Sequence, residues 1–300
     1  MKKKVLLIGG GGYIGLAIAE KLLKEGNEVV VCDNFIYNNN SFLIPFMLHE
    51  NFSFFSFDIR SKFNPSDLED VTDVVFLAGL VGDPITKKYP ELSNKINGEA
   101  IRERIIELDK FDICKLIFIS TCSNYGLIED NELADEEFEL KPLSLYAEEK
   151  VNNENFILNS NLDFCSTVLR FSTAFGVAPR MRFDLTINEF TYALINGQEL
   201  EVYDPDTWRP YCHVQDFGNL IHLVLDADEE VVRNQVYNSG GDKNNHTKRS
   251  IIEIISKYTS NKNKYSNEEW ILLCREGRWV GYLFEKILKN ISVQNWDKKF

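Results

Sequence analysis

Val5-Leu6-Leu7-Ile8-Gly9-Gly10-Gly11-Gly12-Tyr13-Ile14-Gly15 joins an apolar run to a helix-forming run through a cluster of glycines. The first four residues are continuously apolar, as a strand covered on both faces is. From Tyr13 to Glu25 apolar residues recur at helical spacing. Gly9, Gly12 and Gly15 fall three apart at the junction. Without a Cβ the backbone there can turn sharply, approach a ligand closely and let the helix pack on the strand. The helix start then offers unpaired N–H groups and a positive dipole end to a pyrophosphate.

Downstream, Glu28-Val29-Val30-Val31-Cys32 reads as the second strand, and Asp33 stands at its end. An acid there can accept both hydroxyls of an adenosine ribose and repels a 2′-phosphate, which favours NAD over NADP. Upstream, Met1-Lys2-Lys3-Lys4 followed by apolar residues and Ala17-Ile18-Ala19 imitates a secretory signal. Four consecutive glycines would break its apolar helix, and cleavage would discard the strand that the Asp33 pattern requires. The stretch is therefore read as part of the fold.

The 300 residues suffice for a substantial core in one large or two intimate domains, and no apolar run has the length of a membrane span. A formal net charge of −13 argues against nucleic-acid binding. Cysteines at 32, 114, 122, 165, 212 and 274 form no CxxC pair, which fits a reducing cytoplasm. His49, His213, His222 and His246 lack metal-ligand spacing, so no metal is expected.

Strand and helix signals alternate along the chain: strands at 4–9, 28–33, 52–57, 73–78, 115–120 and 163–171, helices at 13–25, 93–110 and 145–159. Such alternation means right-handed βαβ units and a parallel sheet. Asp216 to Asp226 reads as a helix and Gln235 to Asn238 as a strand returning to that sheet. The acidic run Glu129 to Glu137 reads as a solvated loop. The fold class is α/β, a doubly wound Rossmann-type parallel sheet with a smaller C-terminal lobe. The expected division is a cofactor domain of 1–171, with 213–239 returning to it, and a substrate-binding lobe of 172–212 and 240–300.

Tyr146-Ala147-Glu148-Glu149-Lys150 opens a helix and places Tyr and Lys on one face. An isolated tyrosine is a poor base at neutral pH, and a neighbouring ammonium favours its phenolate. Ser120-Thr121-Cys122-Ser123-Asn124-Tyr125-Gly126 follows the strand at 115–120 and supplies hydroxyls for the same substrate oxygen.

Together these residues resemble the extended short-chain dehydrogenase/reductase family, in its NAD-dependent nucleotide-sugar epimerase/dehydratase branch. The resemblance runs from about residue 4 to about residue 250. The glycine fingerprint matches Gly9, Gly12 and Gly15, with Tyr13 and Ile14 between them, and the ribose acid matches Asp33, followed by Asn34. The adenine-contacting pair matches Asp58-Ile59, and the strand end along the cofactor matches Leu77-Ala78-Gly79. The resemblance implies that Tyr146, Lys150 and Thr121 are catalytic, with Lys150 also holding the nicotinamide ribose. Pro179-Arg180-Met181-Arg182-Phe183-Asp184-Leu185-Thr186-Ile187-Asn188 is similar to a stretch of a bacterial subgroup acting on activated hexoses or heptoses. Trp208-Arg209-Pro210-Tyr211-Cys212-His213-Val214-Gln215-Asp216 is similar to a second family stretch, in which Arg209 would meet the sugar-nucleotide diphosphate. Ser123, Arg180, Arg182, Asn188 and Arg209 are thus the implied substrate contacts, and His213 and Asp216 are read as structural.

Dehydratases of the family carry Asp-Glu after the catalytic Ser/Thr, where this chain has Cys122-Ser123, so dehydration is disfavoured. Epimerisation at a sugar carbon, C4 above all, oxidation alone, or reduction of a keto sugar remain, in the setting of bacterial surface-polysaccharide sugar synthesis. The rival of another class is an NAD-binding sensor or scaffold without turnover. The resemblance also implies a homodimer paired through the helices at 93–110 and 145–159. In place of the family's C-terminal substrate motif stand Asn267-Glu268-Glu269-Trp270 and Arg275-Glu276-Gly277-Arg278-Trp279, whose aromatic content reads as packing.

Overall fold

The computed structural model describes residues 2–128 and 132–259, so the expectations for residues 267–279 and for the start of the acidic run lie outside the described residues. Strand β1 (Lys4–Ile8) passes through the glycine turn into helix α1 (Tyr13–Lys24), then β2 (Glu28–Asp33), β3 (Phe52–Ser56) and β4 (Asp73–Phe76). The chain continues through α2 (Asp83–Lys88), α3 (Pro90–Ser93), a π-helical turn (Asn94–Ala100), α4 (Ile101–Leu108), β5 (Lys115–Thr121), α5 (Leu145–Asn159) and β6 (Cys165–Phe171). There follow β7 (Thr173–Phe175), α6 (Thr186–Asn196), β8 (Trp208–His213), α7 (Val214–Asp226), α8 (Glu229–Val232), β9 (Gln235–Ser239), β10 (Asn245–Thr247) and α9 (Lys248–Thr259).

Seven strands form one parallel sheet in the order β3-β2-β1-β4-β5-β6-β9. The order reverses between β1 and β4, so a crevice opens beyond the carboxyl ends of these two strands, where doubly wound sheets bind their ligands. The continuous apolar runs are explained by two cores. Val5, Leu7, Val75, Ile117 and Ile119 pack on one face with α1 and α7. Leu6, Ile8, Val74, Phe76, Leu116 and Phe118 pack on the other with α4 and α5. Phe171 and Phe217 stack with centroids 3.8 Å apart, seating α7 on the sheet. Lys115, buried at the start of β5, donates to the carbonyls of Val224 and Leu225 at 3.2 and 2.8 Å and so caps the last turn of α7.

Two features differ from the sequence expectation. The single helix expected over 93–110 is a series of α3, π turn and α4. Pro90 suits a first helical turn, and the buried Asn97 is drawn toward the sheet by bonds to both the N–H and the C=O of Leu80. The second feature is a small sheet, β10-β8-β7, which the sequence did not reveal. Two of its strands have three residues, too few to show a periodicity. It adjoins a third core of Phe175, Ile187, Phe190, Tyr211, Ile251 and Ile255. Among the described residues no helix is long and apolar enough to cross a membrane.

Candidate active site

The glycine turn meets the end of β4 without a gap. Gly9 has φ +81°, and a Cβ there would come within 2.6 Å of the N and Cα of Ala78. Leu77 N–H donates to Ile8 C=O at 2.8 Å, continuing the β1–β4 ladder, so Leu77-Ala78-Gly79 lies along the turn. A Cβ on Gly15 would fall 2.5 Å from the carbonyl oxygen of Gly10, which is why the helix can begin so close to the strand. Gly12 is different. A Cβ there would meet nothing nearer than the Gly9 carbonyl oxygen at 3.6 Å, so the protein itself does not require a glycine at this point. The N-cap Gly12 has no capping side chain and the first turn of α1 no acid, leaving the helix's positive end for an anion. These residues fit a dinucleotide pyrophosphate.

Asp33 sits where β2 ends. Its Oδ2 accepts from Gly11 N–H at 3.0 Å and its Oδ1 from Phe35 N–H at 2.9 Å. Each oxygen keeps a lone pair for a ribose hydroxyl. Burial pushes the carboxyl above its ordinary value, opposed by those N–H groups and by the charge of Arg180. The following loop is held by the buried Asn39, whose Nδ2 donates to Gly11 C=O at 2.5 Å. Phe35 takes φ +50°, a costly conformation for a bulky residue. Asn34 is exposed, and its Oδ1 accepts from Ile36 N–H at 3.1 Å. Asp58 is paired with Arg60, Nε to Oδ1 2.9 Å, and Ile59 is buried.

At the other end of the crevice α5 presents Tyr146 and Lys150. Lys150 is buried, donates to Ile119 C=O at 2.6 Å and lies 5.9 Å from the Tyr146 ring centroid. Burial lowers its pKa to about 8, with the Glu154 charge opposing. Ser144 caps the helix by accepting from Ala147 N–H at 3.3 Å, which fixes the first turn carrying Tyr146. Thr121 Oγ1 accepts from Ser123 N–H at 3.2 Å, its hydroxyl also bonds the Cys122 side chain, and Ser123 is exposed. Burial pushes the Cys122 thiol up to about 11, against the charge of Arg209, so it is neither thiolate nor acid at neutral pH.

Arg209 is an exposed residue of β8 whose charge acts on Cys122 and Tyr211. Tyr211 in turn bonds Thr186, which lines a cavity of about 400 Å³ together with Phe183, Tyr192, Leu200, Tyr203 and Lys248. Tyr211 thus connects the cavity wall at Thr186 with the charge of Arg209 and with Cys122, the residue after Thr121. The other implied substrate contacts are placed elsewhere. Arg180 stacks over Tyr37, 5.3 Å from its ring centroid, on the Asp33 side of the crevice. Arg182 pairs with Asp184, Nε to Oδ1 3.0 Å, within its own loop. Asn188 is fully buried: it accepts from Gly176 N–H at 3.0 Å and donates to Arg182 C=O at 2.9 Å and Tyr13 hydroxyl at 3.2 Å. Tyr13 itself donates to Gly176 C=O at 2.6 Å, and burial pushes its phenol far above the ordinary value. Tyr13 and Asn188 therefore tie α1 to α6 and the loop after β7, and neither side chain faces open space. His213 caps α7, its Nδ1 accepting from Gln215 N–H at 3.3 Å.

Three buried polar residues escaped the sequence reading. Asn97, Asn39 and Glu154 are buried polar groups within ordinary-looking segments, and no local pattern announces partners 17, 28 and 34 positions away. The acidic loop is also more than solvated: Glu136 Oε1 accepts from Asn238 N–H at 2.8 Å.

The chain is similar to several known proteins. Protein CapI of Staphylococcus aureus is 30% identical over 237 residues, 74% of this chain and 69% of that protein. UDP-N-acetyl-alpha-D-glucosaminuronate decarboxylase of Bacillus cytotoxicus is 27% identical over 85% of this chain and 78% of its own length. The structure of UDP-N-acetylglucosamine 4-epimerase from Methanobrevibacter ruminantium M1, in complex with UDP-N-acetylmuramic acid, superposes with a TM-score of 0.75 at 26% identity, covering 87% and 83% of the two chains. Residues 5–240 match the NAD dependent epimerase/dehydratase family. The glycine turn with its acid, the Tyr-Lys helix and this match agree: the chain belongs to the NAD-dependent epimerase/dehydratase family, and its cofactor is NAD.

Proposed function

We propose that this protein is a nucleotide-sugar 4-epimerase. The observation that carries the reading is the position of Lys150, whose ammonium is bonded to the strand end two residues before Thr121 and lies beside the Tyr146 ring. In this reading the Tyr146 phenolate takes the proton of the sugar hydroxyl, and Lys150 stabilises the phenolate by charge and holds the nicotinamide ribose. Thr121 donates to the same oxygen and stabilises its developing charge. NAD, when bound, supplies the hydride acceptor and donor for the sugar carbon. Arg209 holds the diphosphate, and the cavity beyond it receives the nucleoside, with Phe183 and Tyr203 offering aromatic surface. Segments 172–212 and 240–259 then act as the substrate lobe against the cofactor domain, and two copies pair through the helices around 93–108 and 145–159.

A second reading, oxidative decarboxylation of a nucleotide-linked uronic acid, is favoured by the decarboxylase relative. It shares the first proton and hydride transfers and differs in releasing carbon dioxide. Tyr146→Phe tests both: it should keep NAD and lose turnover by about 100-fold or more. Full turnover in that variant would refute the assignment.

A further inference from the structure

The helix that carries Tyr146 and Lys150 bears a third ionisable group on the same face. Glu154 follows Lys150 by four residues and Tyr146 by eight. It is 1% exposed, yet it is a carboxylate in the core. Its Oε1 accepts from the Ser120 hydroxyl and from Asn124 Nδ2, the latter at 2.6 Å. Its Oε2 accepts from Arg170 Nη2 at 2.8 Å and Nε at 3.1 Å. Ser120 precedes Thr121 directly, and Asn124 lies in the turn that follows it. Arg170, 5% exposed on β6, also donates to the Tyr125 hydroxyl at 2.8 Å. One carboxylate is thus bonded to both sides of Thr121.

A buried ion pair costs desolvation, and apolar residues of equal volume hold a core together as well or better. Packing alone therefore does not account for a charge here. Its neighbour one turn back does. Lys150 is 3% exposed, and its surroundings on β5 are the Ile119 carbonyl and the Phe118 ring, 4.5 Å from its Nζ to the centroid. From its own helix it faces Tyr146 and Glu154. Glu154 faces Ser120 and Asn124 at the end of β5 and Arg170 on β6. Burial drives Lys150 toward the neutral amine, and Glu154 is the charge that opposes this.

We propose that Glu154 is a positioning residue of the active site: its fixed negative charge keeps Lys150 an ammonium inside the core, and its bonds to Ser120 and Asn124 hold Thr121 in place opposite Tyr146. The proposal rests on the roles given above to Tyr146 and Lys150. The phenolate–ammonium and phenol–amine forms of that pair contain the same number of protons, and Glu154 selects the first. Arg170 in turn pairs with Glu154 through both its Nε and its Nη2.

The test is a spectroscopic titration of tyrosinate in the NAD-loaded protein, with each form read against its own Tyr146→Phe version to isolate Tyr146. Glu154→Gln should raise the ionisation midpoint of Tyr146 by about one pH unit, tenfold less phenolate at neutral pH, and Glu154→Asp should restore most of it. The double variant Glu154→Gln/Arg170→Met does not leave Arg170 as a buried charge without its partner and should show the same rise where the single variant does not fold. An unchanged midpoint in these variants, whatever their melting temperature, would overturn the proposal. The titration needs no sugar substrate. If Lys150→Met also leaves the midpoint unchanged, the Tyr146–Lys150 assignment itself has failed.

Discussion

Ala78 occupies the place that a side chain on Gly9 would need: a Cβ on Gly9 would fall 2.6 Å from the backbone nitrogen and Cα of Ala78. The phosphate turn and the strand end beside it are thereby fixed against one another by backbone contact. Gly9→Ala should displace the turn, because the obstacle is main chain and the native φ is positive. The expected outcome is loss of bound NAD and a drop in stability of about 1–3 kcal/mol, read by calorimetric titration and thermal denaturation.

Gly12→Ala makes the complementary case. The nearest atom to its Cβ is 3.6 Å away, so the folded chain accommodates the methyl. Stability without cofactor should stay within about 0.5 kcal/mol of the wild type, while NAD affinity falls at least tenfold. Equal affinities would show that the space over Gly12 is not used.

Asp33→Asn should weaken NAD and narrow its advantage over NADP. The amide keeps one acceptor for the Gly11 and Phe35 N–H groups, which now compete for it, and removes the charge that repels a 2′-phosphate. The ratio of the two dissociation constants is the measurement, and an unchanged ratio would remove Asp33 from discrimination.

Lys150 carries a cost that depends on pH. Its pKa is about 8 in the fold against an ordinary value near 10.5. Below pH 8 both folded and unfolded chains hold the proton, and the fold bears the full penalty, about 3 kcal/mol. Between about 8 and 10.5 the folded chain has released it and the unfolded chain has not, so the penalty fades as pH rises. Lys150→Met should therefore stabilise the cofactor-free protein at pH 7, lose that advantage toward pH 10, and be inactive throughout. Denaturant unfolding at both pH values checks this, and a constant gap would contradict it.

How far the sequence carried the reading depends on where each signal is stored. The strand, turn and helix around Gly9 to Gly15 were legible because close backbone packing and a ligand demand glycine at fixed positions. The Leu6/Leu7 and Val74/Val75 pairs were legible because a parallel strand buries successive residues in opposite cores. The π turn was not, since it depends on Asn97 reaching Leu80 across the fold. The small sheet was not, since Trp208 to His213 pairs with strands of three residues whose partners are set by tertiary contact. Within the candidate site, Tyr146 and Lys150 on one helix face and Asp33 behind the glycine turn could be read from spacing, and Thr121 from the family resemblance. The placement of Arg180 beside Asp33 and the burial of Asn188 could not, because both lie in one short segment, and a run of residues does not say which of them turn inward.

An epimerase keeps the hydride on its own cofactor between the two transfers. The NAD-loaded protein should therefore be incubated with UDP-, GDP-, CDP- and dTDP-sugars in deuterated water and the sugar followed by proton NMR. One of them should become a mixture of C4 epimers, with no solvent deuterium at C4, no net NADH and no carbon dioxide. Stoichiometric NADH, release of carbon dioxide, or NAD binding without any sugar being changed across the panel would contradict epimerisation.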